Sequence, residues 1–409
     1  MGENNISGIE SLNSVISRMK AIPFYKRRIP AVSINSKEDI VCMPITLKSD
    51  LRKLSALEMI TVSKALLYEY HESSGTVGEP MSTWLTENDF NAYVNQLEET
   101  CLEIHEDDIV LIRFPYSISV PAHIFTELVK RKGACVVPVS KATKIAPYTR
   151  VLNLLGKLEV SILCCLPYEA FLLSDIAKKT GVDIKREFKK LRAICSAGEM
   201  MSESRKRRLE EAWGVPVYEF YGTTETGNLA ASCKMGNLHC SEKHFCFEVL
   251  DFERRERLGF NRKGLLHITT LSKENFPLLR YDVGDIAELR EGCGCGNKSP
   301  MLCHHGRGSN KAVYKGKIIT HREIEEQIMS LPQELAGNFY KIISKKEEIE
   351  IHLEAGKHED KSILKEIESR IGLDIPLKVK LFPKEGIQNI SSLIECESYD
   401  KPSYFITIT

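Results

Sequence analysis

Asp108-Ile109-Val110-Leu111-Ile112-Arg113 is a short apolar run bounded by charges, with the length and composition of a strand buried on both faces. Two similar runs follow, Gly133-Ala134-Cys135-Val136-Val137-Pro138 and Val160-Ser161-Ile162-Leu163-Cys164-Cys165. Helical patterns, Pro121 to Lys130 and Tyr168 to Lys179, lie between and after them. This alternation predicts parallel strands with crossover helices.

Working outward, the pattern before about residue 70 reads as helical, most clearly at Ser55-Ala56-Leu57-Glu58-Met59-Ile60. From about residue 245 the texture becomes β-rich, with Gly264 to Leu271 as a strand. After Gly306-Arg307 come Ile318 to Ile328 and the alternating runs Glu348 to Leu353 and Lys378 to Phe382, which suit a small α+β piece. The expected fold is α/β. A large N-terminal region, 1–306, would hold parallel-type sheets with flanking helices and a β-rich subdomain at about 230–305, followed by a small mobile α+β domain at 307–409.

At 409 residues the chain exceeds one ordinary core and has room for an enzyme cleft. Lys+Arg and Asp+Glu are both 56, and a net charge of zero argues against nucleic acid or a membrane surface as the main partner. No stretch approaches the ~20 apolar residues needed to span a bilayer, and the start lacks a basic region followed by an apolar one; a cytoplasmic protein is the expectation. Several of the 13 cysteines sit in apolar runs, so thiols and a metal fit better than a disulfide framework.

Chemistry concentrates in Tyr221-Gly222-Thr223-Thr224-Glu225-Thr226-Gly227. The aromatic can stack on a base, the glycines admit close backbone approach, and the hydroxyls with Glu225 suit phosphate oxygens and Mg2+. Taken alone, the stretch could equally be an ordinary turn. Upstream, Ser73-Ser74-Gly75-Thr76-Val77-Gly78-Glu79-Pro80 offers backbone N–H groups to phosphates but lacks the Gly-Lys-Ser/Thr ending of the common phosphate loop. Ala197-Gly198-Glu199 ends the strand-like run Leu191 to Ser196, at the carboxyl end where an α/β sheet binds ligands. Asp285 follows a glycine and suits a ribose diol, and Gly306-Arg307 offers a cation beside a glycine hinge.

In this order the segments resemble the acyl-adenylate-forming superfamily, and within it the phenylacetate-coenzyme A ligase-like branch. Ile22 to Tyr25 and Pro44 to Arg52 look like that branch's opening; Ser73 to Pro80 with Thr86 and Asp89 its phosphate loop; Thr269 to Asp285 its ribose segment. The resemblance implies ATP-dependent activation of a carboxylic acid to an acyl-AMP, with pyrophosphate released. Transfer to coenzyme A or to a carrier protein's phosphopantetheine thiol then follows. A decayed adenylate-binding homologue and an amide-forming ligase with an amine acceptor are the alternatives.

By matching position, Ser73, Ser74, Gly75 and Thr76 would guide pyrophosphate. Thr224 would touch the α-phosphate and Glu225 hold Mg2+. Gly198, Glu199 and Tyr221 would frame adenine, with Gly222 and Thr223 completing the nucleotide loop. Asp285 would take the ribose and Arg307 sit near the ribose or phosphates. The family's C-terminal domain brings a lysine to the reacting carboxylate. Here the terminal Gly-Lys signature is absent, Ser309 stands at the usual aspartate hinge, and Asp282-Val283 replaces Arg-Thr. Lys401 is the best positional candidate, with Lys384 second. Gly316 suits a pantetheine arm or simply a turn.

Some members of the branch carry Cys, His and Cys-x-Cys at places matching Cys233, His239, Cys293 and Cys295. Such a set would complete a closed, tetrahedral, structural zinc site, with Cys240, His244, Cys303 and His304 as nearby rivals. The acyl group should lie near Tyr116 and Ser117 and under Ser196 and Ala197, with Phe114 more naturally core. His123 is either a gate or a structural residue. Amino-acid-activating relatives in the resembling family commonly carry an aspartate here to pair with the α-amino group; none lies between Arg113 and Glu127, which favours a simple aryl or other carboxylic acid. A homodimer is among the assemblies left open.

Overall fold

The computed structural model describes residues 3–31, 34–73, 79–141, 143, 145–345, 348–356, 361–395 and 405–407. The chain divides into two compact units: Met1–Glu106, Pro115–Ala134 and Tyr218–Cys303 form the first, and Asp107–Phe114, Cys135–Val217 and His304–Thr409 the second.

In the second unit the three predicted strands form at Ile109–Ile112, Cys135–Pro138 and Ile162–Cys165, all parallel, and Ala193–Ala197 extends them. Helix Pro167–Thr180 is apolar nearly all round and is buried accordingly, ending at Gly181 in the left-handed region (φ 78°). Its Glu169 is fully buried beside Arg113, with Nε to Oε2 at 2.9 Å, and accepts the Tyr148 hydroxyl at 2.9 Å. Removing one member of a buried pair leaves the other charge uncompensated. Glu169→Ala should therefore cost about 3 kcal/mol in chemical denaturation; a loss below ~1 kcal/mol would show that Arg113 finds another partner.

The same unit holds a four-stranded sheet in the order Leu377–Phe382, Ile349–Glu354, Tyr340–Ser344, Phe405–Thr407. Helices His321–Ser330 and Lys361–Arg370 accompany it, so the expected α+β texture is present.

The first unit is mainly antiparallel. Gly264–Thr270 is paired on both sides, by Phe245–Leu250 and Tyr281–Arg290, and every residue of it is buried. Helix Glu3–Ala21 buries Leu12, Val15, Ile16 and Met19, one face at i, i+3, i+4, i+7, in a core shared with Tyr25, Leu279 and Tyr281. The run at Ser55 to Ile60 is not an α-helix. Only a 3-10 turn, Ala56–Met59, forms, because Ser55 and Glu58 cap each other and Ile60 turns extended (φ −88°, ψ 115°).

The N-terminal segment is stitched to the strand carrying Asp285. Arg280 forks onto Glu248 at 3.0 Å and donates to the Val41 and Met43 carbonyls at 2.9 and 2.8 Å. Thr46 N–H bonds to the Arg280 carbonyl, and Asp282 N–H to the Thr46 carbonyl. Helix Lys48–Leu51 follows, so these bonds determine where Lys48 stands.

Among the described residues, no helix is long and apolar enough to cross a membrane.

Candidate active site and metal centre

Strand Val217–Thr223 turns back tightly into Gly227–Ser232, pairing Tyr221 with Ala230 and Thr223 with Gly227. The two glycines are required by this turn rather than by a ligand. A Cβ on Gly222 would stand 2.0 Å from the Gly227 carbonyl, and one on Gly227 (φ 75°) would strike Gln96 and the Tyr93 ring. Thr226 also serves the turn: its hydroxyl donates to the Gly227 carbonyl and lies 3.1 Å from that of Thr223. Thr224 is half-buried, and its hydroxyl has no hydrogen-bond partner among the described residues.

Glu225 points inward and is 1 % exposed. Its Oε1 meets Lys48 Nζ at 3.0 Å and accepts the Tyr281 hydroxyl at 2.9 Å; its Oε2 is buried with no hydrogen-bond partner among the described residues. Burial pushes this carboxyl up, but the Lys48 charge and hydrogen bond pull it down further, to about 2. The side chain is therefore an ionised carboxylate with one oxygen left over, the donor a hard cation such as Mg2+ takes.

Tyr221 is buried and its hydroxyl donates to Asp285 Oδ2 at 2.7 Å, so these two residues of separate motif segments touch. Ser73 closes the base of its loop, its hydroxyl accepting the Met81 N–H at 2.8 Å. Ser74, Gly75 and Thr76 lie outside the described residues, as does Lys401. Tyr116 bonds to the Thr126 hydroxyl, and His123 Nε2 lies 2.9 Å from the Tyr116 carbonyl, a structural tie for that histidine; Ser117 is exposed.

In the second unit, the Ser196 hydroxyl donates to the Cys165 carbonyl at 3.1 Å, and Ala197 and Gly198 (φ 86°) lead out of the strand. Glu199 is paired with the buried Arg205 at 2.8 Å, and Arg205 also meets Glu325 at 3.3 Å. Phe114 is core. Arg307 is exposed after Gly306 (φ 97°). Lys315 (φ 48°) and Gly316 (φ 77°) make the two-residue turn between strands Lys311–Tyr314 and Lys317–Thr320, which accounts for Gly316 without a ligand.

Cys233, His239, Cys293 and Cys295 come together, with all four ligand atoms within 4.8 Å of one another. Cys233 Sγ lies 3.7 Å from Cys293 Sγ, and Cys295 Sγ 3.3 Å from His239 Nε2. His239 Nδ1 lies 2.7 Å from the Ser299 carbonyl, which can only accept; the proton is therefore on Nδ1, and the Nε2 lone pair faces the sulfurs. The Met235 and Asn297 amides donate to the sulfurs of Cys233 and Cys295. Of the rivals, Cys240 is buried in the apolar core and His244 stands beside Ser272.

The residues missed in the sequence are Lys48, Tyr281, Tyr93 and Lys273. Lys48 lies in the segment Pro44 to Arg52, and Lys273 and Tyr281 in the segment Thr269 to Asp285, so these three stand within motif segments without being singled out there; Tyr93 reaches the Glu225 loop from helix Glu87–Leu97 with no local pattern to mark it.

A model of the AMP-binding enzyme family matches residues 71–261. The chain is 27% identical over 347 residues to a phenylacetate-coenzyme A ligase of Thermus thermophilus, covering 80% of this chain and 74% of that one. It is 26% identical over 330 residues to a Pseudomonas putida ligase of the same description, covering 76% and 72%. Among solved structures, 2-hydroxyisobutyryl-CoA ligase in the postadenylation state superposes with a TM-score of 0.85 at 20% identity, over 99% of this chain and 90% of that one. At that identity the likeness is one of fold.

Proposed function

We propose that this chain, whose residues 71–261 match the AMP-binding enzyme family, is an AMP-forming acid-thiol ligase. A carboxylate oxygen of the substrate attacks the α-phosphorus of ATP. The bond from that phosphorus to the bridging oxygen breaks and pyrophosphate leaves. The thiol of coenzyme A then attacks the acyl carbon, gives up its proton, and AMP departs.

The observation that carries this reading is the Glu225 carboxylate, ionised and buried at the end of a turn that leaves Thr224's hydroxyl uncommitted. Catalysis of the first half-reaction is positioning and charge neutralisation. Thr224 would hold the α-phosphate, Tyr221 and Asp285 the adenosine, Ser73 to Thr76 the pyrophosphate, and Arg307 and Lys401 the developing negative charge. Glu225 Oε2 would hold Mg2+, which supplies charge neutralisation at the phosphates.

Cys233, His239, Cys293 and Cys295 would hold a closed structural Zn2+. The thiolate-rich donor set and the tautomer of His239 fit that ion and leave no open position. An aryl acid is the favoured substrate, and a carrier-protein thiol the second acceptor. A cytoplasmic setting supplies the ATP and keeps thiols reduced, in keeping with described cysteines that are all free.

The test is carboxylate-dependent ATP–pyrophosphate exchange across aryl, aliphatic and amino acids, with an aryl acid expected to give the fastest exchange. One observation favours a decayed binding protein instead: Asp282, at the place of a usual arginine, is tied up by Arg254 at 2.6 Å. ATP binding without exchange for any acid would select that reading.

A further inference from the structure

Lys273 follows strand Gly264–Thr270 and is 6 % exposed. Its ammonium meets three oxygens, none of them a carboxylate: Thr83 Oγ1 at 3.1 Å, the Tyr93 hydroxyl at 3.4 Å and the Glu225 carbonyl at 2.7 Å. Burying a cation against neutral groups is costly. Burial pulls this ammonium down to about 8 while Asp89 and Glu225 pull it back up.

The segment carrying it is fixed. Asp89 accepts the Glu274 and Asn275 N–H groups at 2.6 and 3.0 Å, and the Asn275 amide donates to the Met59 and Trp84 carbonyls. Tyr93, from helix Glu87–Leu97, donates to the same Glu225 carbonyl at 2.7 Å. Two donors from separate elements thus grip one main-chain oxygen, on the residue whose carboxylate is proposed to receive Mg2+.

We propose that Lys273 is a positioning residue for adenylation: its ammonium holds the Glu225 main chain so that the Glu225 carboxylate and Thr224 hydroxyl are presented to the metal-bound triphosphate. This rests on the ligase reading of the loop. A charge-assisted bond to a carbonyl is about twice as strong as a neutral one, so the lysine restrains the turn more than Tyr93 does. Held within tenths of an ångström, a ligand set captures its ion without rearranging; loosened, it does so poorly.

Lys273→Met keeps the length of the side chain and removes charge and donors. Its kcat in pyrophosphate exchange should fall at least tenfold and its half-saturating Mg2+ rise at least fivefold, with KM for the acid within twofold of wild type. A general structural defect would not single out the metal. Mn2+ titration followed by electron paramagnetic resonance, with a non-hydrolysable ATP analogue present, should show the same weakening without turnover. Tyr93→Phe should move both quantities in the same direction by a smaller factor. A folded Lys273→Met protein with wild-type kcat and wild-type Mn2+ affinity overturns the proposal. If Lys273→Met does not fold, unchanged Mn2+ affinity in Tyr93→Phe does so. Absence of exchange in wild type with every acid strikes the ligase reading instead, and the Mn2+ titration still decides the role of Lys273.

Discussion

Glu225→Gln should lower carboxylate-dependent pyrophosphate exchange by at least about a hundredfold, the scale on which single electrostatic contacts to a transition state act. The substitution keeps volume and leaves an amide oxygen for the Tyr281 hydroxyl, which now bonds Oε1 at 2.9 Å. What disappears is the charge, and with it both the partner of Lys48 and the donor proposed for Mg2+. Exchange above a tenth of the wild-type rate would remove Glu225 from the proposed mechanism.

The same substitution has a pH signature in stability. The carboxyl lies near 2 in the folded protein and at an ordinary 4.5 otherwise, so the unfolded chain binds more protons between these values. The stabilisation is fully present above about pH 4.5 and is lost as pH falls toward about 2. The gap in denaturant stability between wild type and Glu225→Gln should be widest near neutrality and narrow below pH 4.5. A gap that does not change with pH would mean that the ion pair with Lys48 contributes nothing net.

Chelation should unfold the first unit more readily. One equivalent of zinc is expected by elemental analysis, and its removal should lower Tm by about 10 °C, since structural zinc sites contribute folding free energy directly. The ligands come from two distant hairpin-like excursions, Cys233 with His239 and Cys293 with Cys295. The ion would close the loop between them, and the sulfurs of Cys233 and Cys293 stand 3.7 Å apart, a separation two thiolates on one tetrahedral Zn2+ take. Cys295→Ser should lose the metal and reproduce the lower Tm. Less than about half an equivalent in the wild type, or a chelator-insensitive Tm, would refute the four-ligand site.

Much of the architecture was legible because it depends on local pattern. Buried parallel strands such as Ile109–Ile112 and Ile162–Cys165 carry unbroken apolar runs, and the expected helices at Pro121 and Tyr168 appear within a few residues of their patterns. The convergence of Cys233, His239, Cys293 and Cys295 follows from a related feature: Cys-x-Cys and Cys-x5-His place donors at separations that one short turn closes. The Ser55 to Ile60 segment misled because capping residues and apolar spacing also describe a single 3-10 turn. The glycines of the 221–227 loop were read for the ligand, while contacts from Tyr93 and Gln96 explain Gly227 sterically.

By itself, the sequence determined the class of fold, the order of the segments proposed to bind the nucleotide and the identity of the acid in the loop. Those features are carried by neighbouring residues, whose spacing is rigid before any tertiary contact forms. Only the tertiary structure decided the electrostatic state of Glu225. Its charge depends on Lys48, brought in by a segment stitched to Arg280, and its main chain is gripped by Tyr93 and Lys273. Coulombic and hydrogen-bond terms act over a few ångströms in space, and residues far apart along the chain come within that range only when the core has packed.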